Sequence, residues 1–220
     1  MGDVALFIDR RDAGLQLGER LLDQGRRDLV VLGLPRGGLL VAEQVSAVLR
    51  APLDVIVVRK LGVPYQPEVA VGAVAEGNLV VLDEATMRRA GVSESEMSLV
   101  RGHEDRELEL RVALYRRGRT AINLQSRAVV VVDDGIATGS TVRVACVAAR
   151  SRGATHITVA VPVAPPEVVK QLDEADEIVC LFAPTGFRAV GLHYDVFAPT
   201  TDQEVLAALD RSDERQRTRE

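Results

Sequence analysis

The sequence "AVVVVDDGIATGSTVRVA", at residues 128–145, decides how the rest of the chain is interpreted. Four consecutive valines precede two adjacent carboxylates, Asp133 and Asp134, and a loop of small and hydroxyl-bearing residues follows. A continuous apolar run is typical of a strand buried on both faces, and the second apolar segment after the glycine-containing turn indicates a helix. We therefore expect both carboxylates at the carboxyl end of a buried strand, where parallel sheets bind ligands.

Four other apolar runs have the same continuous character, at residues 28–34, 53–58, 156–163 and 177–182. Three segments with helical patterns alternate with them: "RGGLLVAEQVSAVLR", "STVRVACVAARSRG" and "PPEVVKQLDEA". Strands that alternate with helices predict an α/β fold, and continuous rather than alternating apolar strands predict parallel pairing. The predicted fold is a doubly wound, mainly parallel five-stranded sheet.

Residues 64–125 interrupt this alternation and are predicted to form a small hood. The segment "VAVGAVAEGNLVVLD" predicts a hairpin that turns at Gly77 and Asn78. Ser93 and Glu96 have the spacing of a capping box at the start of a helix over residues 93–117, whose many charges predict a solvated face. We predict one domain over residues 1–210 with this insertion, followed by a flexible tail at 211–220 that is too polar to pack.

Composition limits the possible functions. The net charge is −5 and the isoelectric point is near 5.4, which disfavours nucleic acid as a partner. No apolar run reaches membrane-spanning length, and the first residues lack the pattern of a secretory signal, so we expect a cytoplasmic protein without a membrane partner. Cys146 and Cys180 lie in apolar stretches without a CxxC pattern, which predicts reduced and buried thiols.

The loop after the valines combines two kinds of binding group. Its small residues allow backbone N–H groups and the hydroxyls of Thr138, Ser140 and Thr141 to converge on an anion at a helix N-terminus. The two carboxylates would repel a phosphate, so they are better suited to vicinal hydroxyls, either directly or around Mg²⁺. A phosphate beside a diol describes a ribose phosphate.

Two alternatives compete with this interpretation. A nucleotide P-loop is excluded because Gly135 and Gly139 are too close together and no lysine follows Gly139. An ordinary turn from strand to helix stays open; it explains the glycines but not the paired carboxylates.

The segment "VVVVDDGIATGST", at residues 129–141, resembles the phosphoribosyl pyrophosphate (PRPP) motif of the type I phosphoribosyltransferases. The resemblance implies that Asp133 and Asp134 hold the ribose hydroxyls. It also implies a set of 5-phosphate ligands: Ala137, Thr138, Gly139, Ser140 and Thr141. Mg²⁺ is the implied cofactor, bound through PRPP rather than in a dedicated protein site, with the two aspartates as its candidate carboxylates.

Two further segments are similar to the same family. "LGLPRGG" stands where these enzymes carry the pyrophosphate loop, so Arg36 would be a catalytic cation and Gly37 a close backbone contact; a tight turn with an exposed arginine is the alternative. "VVRKLGVPYQPEVAVGAV" resembles the Arg-Lys segment of adenine-type and orotate-type members, so Arg59 would bind pyrophosphate and Lys60 would serve catalysis. A cation at the end of a strand is commonplace, and that alternative stays open.

The implied reaction needs protection from water. Cleavage of the bond between C1 and pyrophosphate builds positive charge on the ribose and negative charge on the leaving group. Water would hydrolyse such a sugar, so a mobile lid is expected, and residues 62–77 are the candidate. Glu68 within the lid would act on the acceptor as an acid or base, or would simply be a solvated loop carboxylate.

The acceptor is the least determined part of the prediction. Ala137 replaces the acidic residue of hypoxanthine-guanine members, and the layout over residues 4–209 is most similar to a group of bacterial phosphoribosyltransferases whose acceptor is not settled. In the loop "APTGFRAVGLHYDVFAPTTDQEV", Phe187 is the predicted acceptor-binding aromatic residue, and Tyr194 and Phe197 are predicted to pack in the core. For His193 we expect a surface or hydrogen-bonded role.

The sequence therefore predicts a Mg²⁺-dependent phosphoribosyltransferase that joins the 5-phosphoribosyl group of PRPP to a nitrogenous base or similar acceptor and releases pyrophosphate. A PRPP-binding regulatory protein with little or no activity is the first alternative, and an α/β interaction module with a fortuitous loop is the second. The expected partners are PRPP, a small-molecule acceptor and a second copy of the chain in a homodimer.

Overall fold

Five parallel strands form the central sheet of the computed structural model, which describes residues 5–22, 28–77 and 79–218. Their order across the sheet is β2 (Leu53–Val55), β1 (Leu29–Gly33), β6 (Ala128–Val132), β7 (His156–Val163) and β8 (Glu177–Phe182). Gly33 is paired with Val132 at the carboxyl ends of β1 and β6. The segments that follow these two strands therefore start side by side.

Helices cover both faces of this sheet. One face carries α1 (Arg10–Leu22), α2 (Gly37–Leu49) and α7 (Asp202–Arg217). The other carries α5 (Ser140–Ser151) and α6 (Pro166–Val169). Along β6, Val130 and Val132 pack into the first core, while Val129 and Val131 pack into the second. The predicted doubly wound α/β class is confirmed, although α6 is a single turn and not the longer helix expected up to residue 175.

A separate antiparallel sheet forms the hood. It contains β3 (Val58–Val63), β4 (Gln66–Ala75) and β5 (Leu79–Leu82), followed by α3 (Glu84–Ala90) and α4 (Glu94–Arg116). The hairpin of β4 and β5 and the capping box of α4 are confirmed; of the two predicted turn residues, Asn78 lies outside the described residues.

The apolar run at residues 53–58 is not one strand. It divides between the sheets, because β2 ends at Val55 and β3 begins at Val58. Ile56 and Val57 at the crossing are buried against different cores, which explains why the sequence stays apolar where the strand ends.

The polar tail is packed as helix α7 as far as Arg217, which corrects the prediction that residues 211–220 fail to pack. Ser212 is buried, and Arg211 forms two 2.7 Å hydrogen bonds with Glu43 of α2. The partner that anchors this tail, the buried carboxylate of Glu43, lies on another helix and has no signal in the sequence of the tail itself. Within the described part of the chain, no helix is both long and apolar enough to cross a membrane.

We expect Glu43→Gln to lower the free energy of unfolding by about 1.5 to 3 kcal/mol at neutral pH, since hydrogen bonds to charged groups are lost. Burial by itself raises the pKa of Glu43, but hydrogen bonds and charge from Arg211 and Arg215 outweigh it and lower the pKa. This stabilisation is therefore present above the ordinary pKa of about 4.3 and is lost as the pH falls through the lowered value.

Urea unfolding of the wild type and of Glu43→Gln between pH 3 and pH 7 checks this expectation, with the exposed Glu19→Gln as control. The difference in the free energy of unfolding between the wild type and Glu43→Gln should decrease as the pH falls. A constant difference across this range would contradict it.

Candidate functional site

Asp133 and Asp134 directly follow β6 and are both partly exposed at the carboxyl edge of the sheet. The Asp134 backbone N–H donates to the Asp133 carboxylate at 2.9 Å. Burial, followed by the neighbouring Asp134 charge, raises the pKa of Asp133 well above its usual range, and burial also raises the pKa of Asp134. Two negative charges are therefore unfavourable here without a cation or hydrogen-bond donors nearby.

The structure supplies one such cation, which the sequence analysis did not find. Arg10, the first residue of α1, donates from Nε to the Asp134 carboxylate at 2.7 Å, and its side chain is only 11% exposed. Its positive charge lowers the pKa of Asp134 against the larger effect of burial.

The loop after the carboxylates leads into α5 as predicted. Gly139 precedes the helix with a φ of +80°, a left-handed conformation that favours glycine, and no side chain caps the helix. The hydroxyls of Thr138 and Ser140 lie 3.2 Å apart, and Ala137, Thr138 and Thr141 are exposed. First-turn N–H groups without a side-chain cap are suited to an anion.

The "PRGG" segment lies directly against the two carboxylates. Gly38 is so close that a Cβ atom there would lie 2.6 Å from Asp133 Oδ1, and a Cβ atom on Gly37 would overlap Asp134 Oδ2. Arg36 is exposed at the start of α2 and, among the described residues, has no ion-pair partner. The structure thus places Gly37 and Gly38 against the aspartate pair, and Arg36 directly precedes the two glycines in the chain.

Arg59 and Lys60 are placed differently from the expectation, because they lie inside β3 of the hood and not at the end of a central strand. Arg59 Nη2 is 2.7 Å from Glu104 Oε2 of α4. Strand alternation directs Lys60 to the opposite face, where it is exposed. The structure therefore brings Arg59 to Glu104 and not to the aspartate pair.

The loop after β8 reaches back to the aspartates. The Tyr194 hydroxyl donates to the Asp134 backbone carbonyl at 2.6 Å, and Tyr194 packs on Phe197 with ring centroids 4.9 Å apart. Burial and then the Asp134 charge raise the pKa of Tyr194 above its usual range. The Tyr194 ring is buried, as predicted, while Phe197 is only partly buried.

Phe187 is partly buried and stacks on His193 at a centroid distance of 5.6 Å. His193 is buried, so a surface role is excluded, and its backbone carbonyl accepts hydrogen bonds from Leu6 and Phe7. Backbone N–H groups of Asp195 and Val196 donate in turn to carbonyls of residues 7 and 8. We call this pairing of residues 6–8 with residues 193–196 the terminal ladder.

Residues 8–182 match the family model described as the phosphoribosyl transferase domain. The chain belongs to this family. The resemblance found in the sequence is confirmed, together with the fold class. Because the match ends at β8, Phe187 and the terminal-ladder residues 193–196 lie beyond it.

The relatives of this phosphoribosyltransferase-family chain agree with the assignment. Two strains of Mycobacterium tuberculosis, CDC 1551 and H37Rv, each hold a protein provisionally named a phosphoribosyl transferase. Each is 49% identical to this chain over 208 residues, which are 94% of this chain and 47% of the relative. The chain therefore spans about half the length of the curated relatives it matches.

A solved structure covers almost the whole of the chain. The crystal structure of the protein TT1426 from Thermus thermophilus is 42% identical, covers 92% of this chain and 97% of its own, and superposes with a TM-score of 0.82. The arrangement of central sheet and hood is therefore similar to that of an experimentally determined protein.

Proposed function

We propose that this protein is a Mg²⁺-dependent phosphoribosyltransferase, which transfers the 5-phosphoribosyl group of PRPP to a nitrogenous base or similar acceptor and releases pyrophosphate. The observation that carries the proposal is the junction of β6 and α5. Two carboxylates with raised pKa values stand there beside a helix N-terminus without a side-chain cap. The two carboxylates are suited to accept hydrogen bonds from vicinal hydroxyls, and the uncapped helix N-terminus is suited to bind a phosphate.

Each part of PRPP has a proposed binding group. Asp133 and Asp134 accept hydrogen bonds from the ribose hydroxyls, and the 5-phosphate lies on the N-terminus of α5. The pyrophosphate lies on the "PRGG" segment, where Arg36 has no competing ion pair among the described residues. The close approach of Gly37 to Asp134 supports this placement, since it puts the pyrophosphate loop next to the ribose carboxylates.

The carboxylates also fit Mg²⁺ that arrives with PRPP. The described residues contain no group of three or more His, Cys, Asp or Glu side chains that would hold a metal ion. Mg²⁺ is commonly held by one or two carboxylates together with substrate phosphates, which the aspartate pair and PRPP would provide. When bound, the ion would neutralise charge on the pyrophosphate.

The catalytic contribution of the chain is electrostatic. As pyrophosphate leaves, Arg36 and the backbone N–H groups at the start of α2 stabilise the negative charge that develops on it. We propose that the β3–β4 hairpin, which includes most of residues 62–77, closes over the site to exclude water and brings Lys60 toward the leaving group. The Glu68 side chain lies outside the described residues, so its role stays a prediction.

The proposed acceptor lies against Phe187, whose ring already stacks on His193 and so can present a flat surface. A second copy of the chain is proposed as a partner, because Leu99, Leu110 and Leu114 are exposed along α4. A cytoplasmic location belongs to the same proposal, in keeping with the free thiols of Cys146 and Cys180.

A PRPP-binding regulatory protein is the second candidate, and one observation favours it. Arg59, a predicted pyrophosphate ligand, forms an ion pair with Glu104. Fewer cations are therefore available to stabilise the departing pyrophosphate.

Titration calorimetry of the protein with PRPP in the presence of Mg²⁺ tests both candidates, and heat of binding is expected. Pyrophosphate release is then measured across a panel of purines, pyrimidines and small amines. Release with one acceptor supports the enzyme, and binding without release supports the regulator. The absence of any binding would contradict both.

Asp133→Asn, Asp134→Asn and Thr138→Val are each expected to weaken PRPP binding roughly 10- to 100-fold, because each removes a hydrogen bond that involves a charged group. The aspartate variants should also change the Mg²⁺ dependence of binding, whereas Thr138→Val should not. Calorimetry at several Mg²⁺ concentrations measures both effects, with the exposed Asp173→Asn as control. Wild-type affinity in all three variants, at unchanged melting temperature, would refute the site assignment.

A further inference from the structure

Arg10 contacts three separate segments of the chain at the candidate site. Its Nε donates to the Asp134 carboxylate at 2.7 Å, and its Nη1 donates to the Ala198 backbone carbonyl at 2.8 Å. Its guanidinium carbon lies 3.8 Å from the centroid of the Phe197 ring. The third segment is the pyrophosphate loop, because a Cβ atom on Gly37 would lie 2.7 Å from Arg10 Nε.

These contacts fix the guanidinium and still leave donors available. An arginine has five N–H donors, and two of them are used by Asp134 and Ala198. The stack on Phe197 and the low exposure of both charged side chains, 11% for Arg10 and 17% for Asp134, restrict the rotamers of each. Asp134 therefore has its orientation set by Arg10 before any ligand arrives.

The terminal ladder explains why Arg10 lies here. It holds residues 6–8 beside residues 193–196, so the start of α1 and the segment after β8 approach the aspartate pair together. Asp9 caps the beginning of α1 by accepting from the backbone N–H groups of Arg11 and Asp12. The terminal ladder and the Asp9 cap both hold backbone N–H groups, so they fix the backbone at the start of α1 from which the Arg10 side chain extends.

We propose that Arg10 is a positioning residue of the PRPP site: it holds the Asp134 carboxylate for the ribose hydroxyls and joins that carboxylate to the acceptor-side segment of Phe197 and Ala198. The inference rests on the proposed function. It adds that the protein itself supplies a cation beside Asp134. It also adds that the guanidinium of Arg10 links the PRPP side of the site to the acceptor side. Without Arg10, Asp134 would lose this ion pair, and the charge of the two carboxylates would be compensated by Mg²⁺ alone when PRPP binds.

Calorimetry with PRPP and Mg²⁺ tests the first part. We expect Arg10→Met to bind PRPP roughly 10- to 100-fold more weakly than the wild type, as for the loss of a hydrogen bond between charged groups. Arg10→Lys has a similar length and retains the charge, so it should recover part of the affinity, which a purely space-filling role would not allow. The adjacent and exposed Arg11→Met is the matched control and should bind as the wild type does.

A double-mutant cycle tests the connection to the acceptor side. Phe197→Leu removes the ring that lies against the Arg10 guanidinium. This variant should bind PRPP more weakly, although among the described residues Phe197 packs on Arg10 and Tyr194 and not on Asp134. If the effect passes through Arg10, the double variant should bind no more weakly than Arg10→Met alone. Additive losses would overturn the connection.

The outcomes separate the two proposals. Equal PRPP affinity of wild type and Arg10→Met, with both proteins folded by circular dichroism, would overturn the role of Arg10 and leave the proposed function standing. No binding of PRPP to the wild type would overturn the proposed function, and this inference with it.

Discussion

Gly37→Ala is expected to weaken PRPP binding roughly 100-fold while the protein stays folded. The added Cβ atom would overlap Asp134 Oδ2, which is the end of a side chain, so the carboxylate can turn away but must leave Arg10. Two charge-assisted hydrogen bonds are affected, the existing one with Arg10 and the proposed one with ribose, which accounts for the size of the effect. Gly37 does not have a left-handed φ, so alanine brings no backbone strain.

Calorimetry and thermal unfolding of two companion variants sharpen this expectation. Gly38→Ala should lose stability as well as affinity, because its Cβ atom would lie 2.7 Å from the Asp133 Cα atom and 3.0 Å from the Val132 carbonyl, and backbone atoms move only at a cost. Gly102→Ala on α4 is the control, since nothing lies within 4 Å of the added atom. Wild-type affinity in Gly37→Ala would show that Asp134 is not needed where the structure places it.

Arg36→Ala is expected to lower turnover about 100- to 1000-fold, the range observed when one donor to a developing negative charge is removed. The PRPP dissociation constant should rise much less, because Arg36 acts most strongly on charge that appears only in the transition state. Lys60→Met should change turnover in the same direction if the hairpin closes as proposed.

The acceptor must first be identified with the pyrophosphate-release panel. The steady-state turnover of each variant is then measured with that acceptor, and its PRPP dissociation constant is measured by calorimetry. Arg106→Ala, on the exposed face of α4, is a control of the same residue type. If Arg36→Ala and Lys60→Met both turn over at the wild-type rate, these two residues are ordinary surface cations. The aspartate site would survive that result, but the proposed mechanism would not.

Features with a local cause could be predicted from the sequence. The buried strands show as continuous apolar runs, and the start of α4 shows as Ser93 and Glu96, because a capping box is made by residues three apart. The junction of β6 and α5 was found for the same reason, since its carboxylates and its glycine are consecutive in the chain. The start of α7 has an equally local signal, the capping box of Thr201 and Glu204, which the sequence analysis overlooked.

Features with a distant cause could not be predicted in this way. Arg10 has no local pattern that marks it, because its partner Asp134 is 124 residues away in the chain. Arg59 was expected at the pyrophosphate because its segment resembles the Arg-Lys segment of adenine-type and orotate-type members; the crossing between sheets places Arg59 beside Glu104 of α4 instead. Only tertiary structure distinguishes a free cation from a paired one.

The terminal ladder also determines when the site can form during synthesis. Phe197 and Ala198 leave the ribosome 187 and 188 residues after Arg10, and after every strand of the central sheet. A nascent chain that ends after β8 already contains the aspartate pair, the "PRGG" segment and the packing of α1 on α2, but it lacks residues 193–196, which pair with residues 6–8. Closing so long a loop is a slow step in folding, so the domain acquires its complete binding surface last.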